Sequence, residues 1–161
     1  MARSAVEWGS KPAIPSTHYV DPRLYADEEI FREEQEKIFR KVWMIACHES
    51  EVPEAYDYRT FNHPAGVNLV VVRGDDGKIR TFYNVCPHRG NTIVYTPSNN
   101  GKHLVCIFHS WAFNCRGECV DIPRAQAYGD MLSKRDVGLR EVRTEVGYGG
   151  FVWVNLDDHA E

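Results

Sequence analysis

The chain has 161 residues, with 19 Lys+Arg against 23 Asp+Glu for a formal charge of −4. Hydrophobic residues at 43% and charged residues at 26% exclude collagen, coiled coil and disorder, and the mild acidity speaks against nucleic acid or an anionic membrane, which call for clustered Lys and Arg. No apolar run approaches the roughly 18 residues that span a bilayer, and no signal-peptide core opens the chain, so a cytoplasmic protein is expected.

Residues 1–26 carry Pro12, Pro15 and Pro22 without a sustained period, which predicts an extended arm. Asp27 is a good N-cap. Glu28 and Glu29 early, with Lys37, Arg40 and Lys41 late, match the helix macrodipole and predict a helix from Asp27 to about Val42. Glu33 with Lys37 and Glu36 with Arg40 are spaced for favourable ion pairs. Ile30, Phe31, Ile38, Phe39, Val42 and Trp43 gather on one broad face, so this helix needs something to dock against.

Beyond it the period changes from 3.6 to 2. Val67–Arg73 and Lys78–Val85 flank Gly74-Asp75-Asp76-Gly77, a hairpin signal. His103–Phe108 reads as another strand, and Trp111–Cys115 with Glu118–Asp121 surround a tight turn at Arg116-Gly117. Arg140–Val146 and Phe151–Leu156 flank Gly147-Tyr148-Gly149-Gly150 as a third hairpin. Short strands joined by Gly-rich turns predict a mainly β, antiparallel domain over residues 44–161, preceded by an arm and one amphipathic helix over 1–43.

The odd count of five cysteines, at 47, 86, 106, 115 and 119, argues against a fully paired disulfide framework. Two motifs give cysteine a histidine neighbour: Cys86-Pro87-His88 and Cys106-Ile107-Phe108-His109, with seventeen residues between His88 and Cys106. Each pairs a soft thiolate with an imidazole on a short loop between strands. Such a set can serve one tetrahedral zinc or a [2Fe–2S] cluster with two His on one iron. Finger-type zinc sites usually pair like with like; here each half is mixed, which suits a binuclear cluster better. Cys47, beside His48, reads as core of the first strand. Cys115 and Cys119 read as ordinary strand residues, and His18, His48, His63, His103 and His159 as surface or satisfied groups. Arg89 is a partner-facing charge or a structural ion pair.

The stretch Asn84-Val85-Cys86-Pro87-His88-Arg89-Gly90, with Cys106-Ile107-Phe108-His109-Ser110-Trp111-Ala112-Phe113 and then Arg116-Gly117 and Pro123, resembles the Rieske signature. More closely it is similar to the N-terminal region of the large (alpha) subunit of Rieske non-haem iron, aromatic-ring-hydroxylating oxygenases, from about Asp27 to Leu156. The resemblance implies a [2Fe–2S] cluster with Cys86 and Cys106 on the inner iron and His88 and His109 on the outer one. Trp111 would pack beside it and the segment through Pro123 would cover it. Respiratory-chain Rieske proteins carry an extra cysteine in each loop; Asn91 and Phe108 stand there here, so no bridge between the loops can form. Ser110 departs from the glycine usual in the oxygenases, which implies a slightly different second loop.

The resemblance also implies electrons arriving from a ferredoxin or flavin reductase and leaving for a mononuclear Fe(II) in the catalytic domain of a neighbouring subunit, within a trimer. Substrates would be aromatic or similar small organic molecules. That iron's usual histidine pair, five positions apart, is absent from the seven histidines here, so the chain reads as a fragment or half of a split subunit. In the family the leading helix packs on the catalytic domain, leaving the face around Phe31, Ile38 and Val42 exposed, folded back or in a contact. Two other readings remain: a stand-alone Rieske-type ferredoxin, against which stand the 85 residues before Cys86, and a zinc-stabilised interaction module.

Overall fold

The computed structural model describes residues 20–160. The predicted arm up to residue 19, with His18, lies outside them; Pro22–Tyr25 form a single 3-10 turn capped by the Asp21 side chain. Helix α1, Glu28–Glu34, begins at the expected cap: the Asp27 carboxylate accepts from the N–H groups of Glu29 and Ile30 at 2.8 and 3.3 Å. These are two of the donors that a helix start otherwise leaves unpaired. The Lys37–Glu33 and Arg40–Glu36 pairs both close at 2.9 Å.

The helix does not run on as one α-helix to Val42. Gln35–Phe39 is π-helical, and the N–H of Arg40 reaches back five residues to the Gln35 carbonyl at 3.0 Å. The wider turn adds a residue to the helical register and leaves Phe39 packed on the Leu69, Val142 and Val154 cluster. Phe31, Ile38 and Val42 remain 51%, 48% and 41% exposed, so only one edge of the apolar face is docked.

Among the described residues ten strands follow: β1 (Met44–His48), β2 (Asp57–His63), β3 (Val67–Arg73), β4 (Ile79–Tyr83), β5 (Ser98–Asn100), β6 (Leu104–Val105), β7 (Ala112–Phe113), β8 (Cys119–Asp121), β9 (Glu141–Val146) and β10 (Phe151–Asn155). A seven-stranded sheet has the order β1-β10-β9-β4-β3-β2-β5, and β6-β7-β8 form a small second sheet. Every pairing is antiparallel. The three predicted hairpins are present. The expected strand from His103 shrinks to Leu104–Val105 because the chain turns at Cys106 into a loop.

Strand β3 shows why the sheets stack. Leu69, Val70, Val71 and Val72 are all 0% exposed, a continuous apolar run buried on both faces. Val70 and Val72 join Phe82, Phe113 and Trp111 in the larger core; Leu69 and Val71 serve clusters with Val154 and with Cys47 and Val152. Each such side chain contributes about 2 kcal/mol by leaving water, so β3 anchors the sheet from which the first motif leaves. The second sheet sits close: a Cβ on Gly117 would lie 2.5 Å from the Phe82 ring, and Gly117 has φ +78°. No helix among the described residues is long and apolar enough to cross a membrane.

Candidate iron–sulfur site

The two motifs are copies of one turn. In the first, which follows β4, the Gly90 N–H donates to the Cys86 carbonyl at 2.9 Å and the Cys86 N–H to the Asn91 carbonyl at 2.7 Å. In the second, between β6 and β7, the Ser110 N–H donates to the Cys106 carbonyl at 2.8 Å and the Cys106 N–H to the Trp111 carbonyl at 2.9 Å. Gly90 and Ser110 both have left-handed backbones, with φ +71° and +58°. Ser110 therefore leaves the loop's hydrogen bonding unchanged and bears the departure as backbone strain.

The loops bring the four motif residues together. Cys86 and Cys106 are buried in one core cluster, with 2% and 1% exposure, and each thiol shifts the ionisation of the other. The imidazoles of His88 and His109 meet edge to face with ring centroids 4.6 Å apart. Burial pushes the Cys86 thiol up, against the N–H of His88. Burial also opposes ionisation of Cys106, but the N–H groups of Phe108 and His109, the Cys86 thiol and the Asn91 amide hold this thiol below its ordinary value. Burial, with His109 and Arg89 nearby, lowers the His88 pKa and favours the neutral ring a metal needs.

His88 is fixed on several sides. Its ring stacks on the Trp111 indole at 4.6 Å and 5° between planes. Its Nε2 lies 3.5 Å from the Tyr128 hydroxyl, and its Nδ1 is buried without a hydrogen-bond partner. Such an orphan is costly unless something occupies it. Among the described residues no three His, Cys, Asp or Glu side chains converge on a single ion. Two thiols and two imidazoles, paired by kind, could instead hold two irons with two protein ligands each, the remaining positions filled by bridging sulfides.

Residues outside the motifs support this arrangement. Asn84, 1% exposed, donates to Asn68 Oδ1 at 2.6 Å and the Val94 carbonyl at 2.8 Å, and accepts from the N–H groups of Ile93 and Val94. It ties the start of the first loop to its return. The Asn91 amide donates to Cys106 Sγ at 3.7 Å, linking the loops where a disulfide was excluded. The expected cover through Pro123 continues into Ala125–Met131, and His109, Ser110, Trp111, Pro123, Arg124 and Tyr128 line a recess of about 370 Å³. Cys47, Cys115 and Cys119 are buried free thiols, and burial raises Cys47 to about 11. His48 is satisfied, with Nε2 2.7 Å from the Gly149 carbonyl. His63 is buried at 3% and its Nε2 lacks a partner, so it was only half anticipated. Arg89 is exposed.

Paired loops of this kind, set on stacked antiparallel sheets, fit the class of small iron–sulfur domains. The family described as the Rieske [2Fe-2S] domain matches residues 42–142, and the chain belongs to it. The fold is thus one that binds a [2Fe–2S] cluster. The chain is 48% identical to the methanesulfonate monooxygenase hydroxylase subunit alpha of Methylosulfonomonas methylovora, over 98% of this chain and 40% of that protein. It is 51% identical to the 2-aminobenzenesulfonate 2,3-dioxygenase subunit alpha of Alcaligenes sp., over 99% and 41%. The structure of naphthalene 1,2-dioxygenase from Rhodococcus sp. bound to indole is similar with a TM-score of 0.82 at 33% identity, covering 91% of this chain and 33% of that chain. The chain therefore spans about two-fifths of the length of these curated relatives.

Proposed function

We propose that Cys86 and Cys106 ligate one iron and His88 and His109 the other of a Rieske [2Fe–2S] cluster, and that the domain passes single electrons within an oxygenase large subunit. The observation that carries this reading is the buried, unpartnered Nδ1 of His88, set between the paired loops and aimed away from Tyr128. When bound, the cluster supplies one-electron redox chemistry at a potential raised by neutral imidazole ligands. The chain's own residues do the rest. Asn91 and the backbone N–H groups of the second loop stabilise the Cys106 sulfur, Trp111 shields His88 from water, and His109 stands at the rim of the surface recess.

On this reading residues 1–43 are arm and docking helix and 44–161 the cluster domain. The donor is a cytoplasmic ferredoxin or flavin reductase. The acceptor is a mononuclear iron in the catalytic domain of a neighbouring subunit, in a trimer. The half-exposed Phe31, Ile38 and Val42 support a helix made to dock on more protein than this chain contains. The substrate is an aromatic or similar small organic molecule. Two relatives near 50% identity are both named for sulfonates, which favours a sulfonated one.

Anaerobically purified chain should hold equal amounts of iron and acid-labile sulfide and bleach on dithionite. His109→Cys should keep a cluster at a lower potential, because thiolate adds negative charge; an unchanged potential refutes the ligand assignment. The full-length subunit, given its reductase and NAD(P)H, should consume oxygen with an organosulfonate. Oxygen uptake with naphthalene alone would overturn the substrate reading.

A further inference from the structure

The two histidines are held differently. His109 meets Phe108 at 4.0 Å, and no hydrogen bond to its imidazole is present among the described residues. His88 is clamped: its ring lies flat on Trp111, and Tyr128 stands edge-on to both rings, 6.4 Å from His88 at 86° and 6.3 Å from Trp111 at 85°. The Tyr128 hydroxyl lies 3.5 Å from His88 Nε2 while Nδ1 stays buried and open. With Nδ1 given to a metal, the neutral ring carries its proton on Nε2, which then donates to the hydroxyl oxygen.

We propose that Tyr128 is the positioning residue of His88: with Nδ1 on a metal, its hydroxyl accepts from the Nε2–H and holds the ring in place, and this acceptor makes the imidazole a stronger donor than that of His109. A hydrogen bond accepted from the far nitrogen raises ligand basicity and stabilises the oxidised iron, so Tyr128 lowers the potential of the centre. The residue comes from the segment Ala125–Met131, beyond the two motifs, in the cover that also carries the recess-lining Arg124. The structure thereby assigns that cover a role in tuning the site as well as shielding it.

The inference rests on His88 being a ligand, and the test separates the two. The chain is labelled with 15N-histidine, and its midpoint potential at pH 7 is measured by voltammetry beside pulsed EPR of the reduced state. Tyr128→Phe keeps the ring and removes the hydroxyl. The expected result is a retained cluster, a potential shifted upward, and a change in one of two 15N couplings with the other unaltered. A loaded variant with both couplings and potential unchanged overturns the role of Tyr128 and leaves the ligand assignment standing. Wild-type protein with no histidine nitrogen coupling overturns both. Should Tyr128→Phe fail to assemble, 3-fluorotyrosine at position 128 keeps the shape while weakening the acceptor; the same upward shift is expected, and no shift overturns the proposal.

Discussion

Gly90 and Ser110 occupy the same left-handed position, twenty residues apart, in two copies of one turn. Glycine takes this backbone freely, whereas serine pays roughly 1 kcal/mol in Cβ strain. Ser110→Gly relieves that strain at some entropic cost, for a net gain of about 0.5 kcal/mol; Gly90→Ala introduces it, for a loss of about 1 kcal/mol. Chemical denaturation of the two variants should move the midpoint in opposite directions.

Trp111 is 3% exposed and forms one wall of the His88 site. Trp111→Leu keeps an apolar residue but removes the stacked ring, at a cost of about 2 kcal/mol in stability. It also opens His88 to water. The visible absorption should persist after purification and then decay several-fold faster in air or with an iron chelator than in wild type.

His63 gives the acid limb of stability a specific cause. Its Nδ1 accepts from the Ala65 N–H at 3.1 Å, and burial followed by the charge of Arg40 lowers its pKa. The unfolded chain therefore takes up this proton at a higher pH than the folded one. The contribution is full above the ordinary value of 6.5 and is lost as pH falls from there toward the lowered folded value. His63→Gln removes the titration. Denaturant midpoints below about pH 6.5 should fall less steeply in the variant than in wild type, and parallel slopes would contradict this.

The helix start, three hairpins and the four motif residues were legible because local chemistry decides them. Asp27 caps its own helix, Gly74 and Gly77 mark their own turn, and thiol with imidazole at short spacing needs no distant context. What was not legible depends on partners far along the chain. Strand β2 is rich in polar residues and becomes a strand by pairing with β3 from Tyr58 opposite Val72 to His63 opposite Val67. The π turn at Gln35–Phe39 accompanies the docking of Phe39 on the sheet. Asn84 belonged to the recognised stretch without a role, since three of its four side-chain hydrogen bonds appear only when residues 93 and 94 fold back on it and the fourth reaches Asn68 on β3. Tyr128 lies forty residues from the histidine it faces, and no motif spans that distance.

Mössbauer spectroscopy of the oxidised chain loaded with 57Fe tests the central claim most directly. Cysteine pair and histidine pair on separate irons predict two quadrupole doublets of equal area and different isomer shift, one for an all-sulfur iron and one for an iron bearing two nitrogens. A single doublet from equivalent irons, or iron without accompanying sulfide, would contradict the assignment of Cys86 and Cys106 to one metal and His88 and His109 to the other.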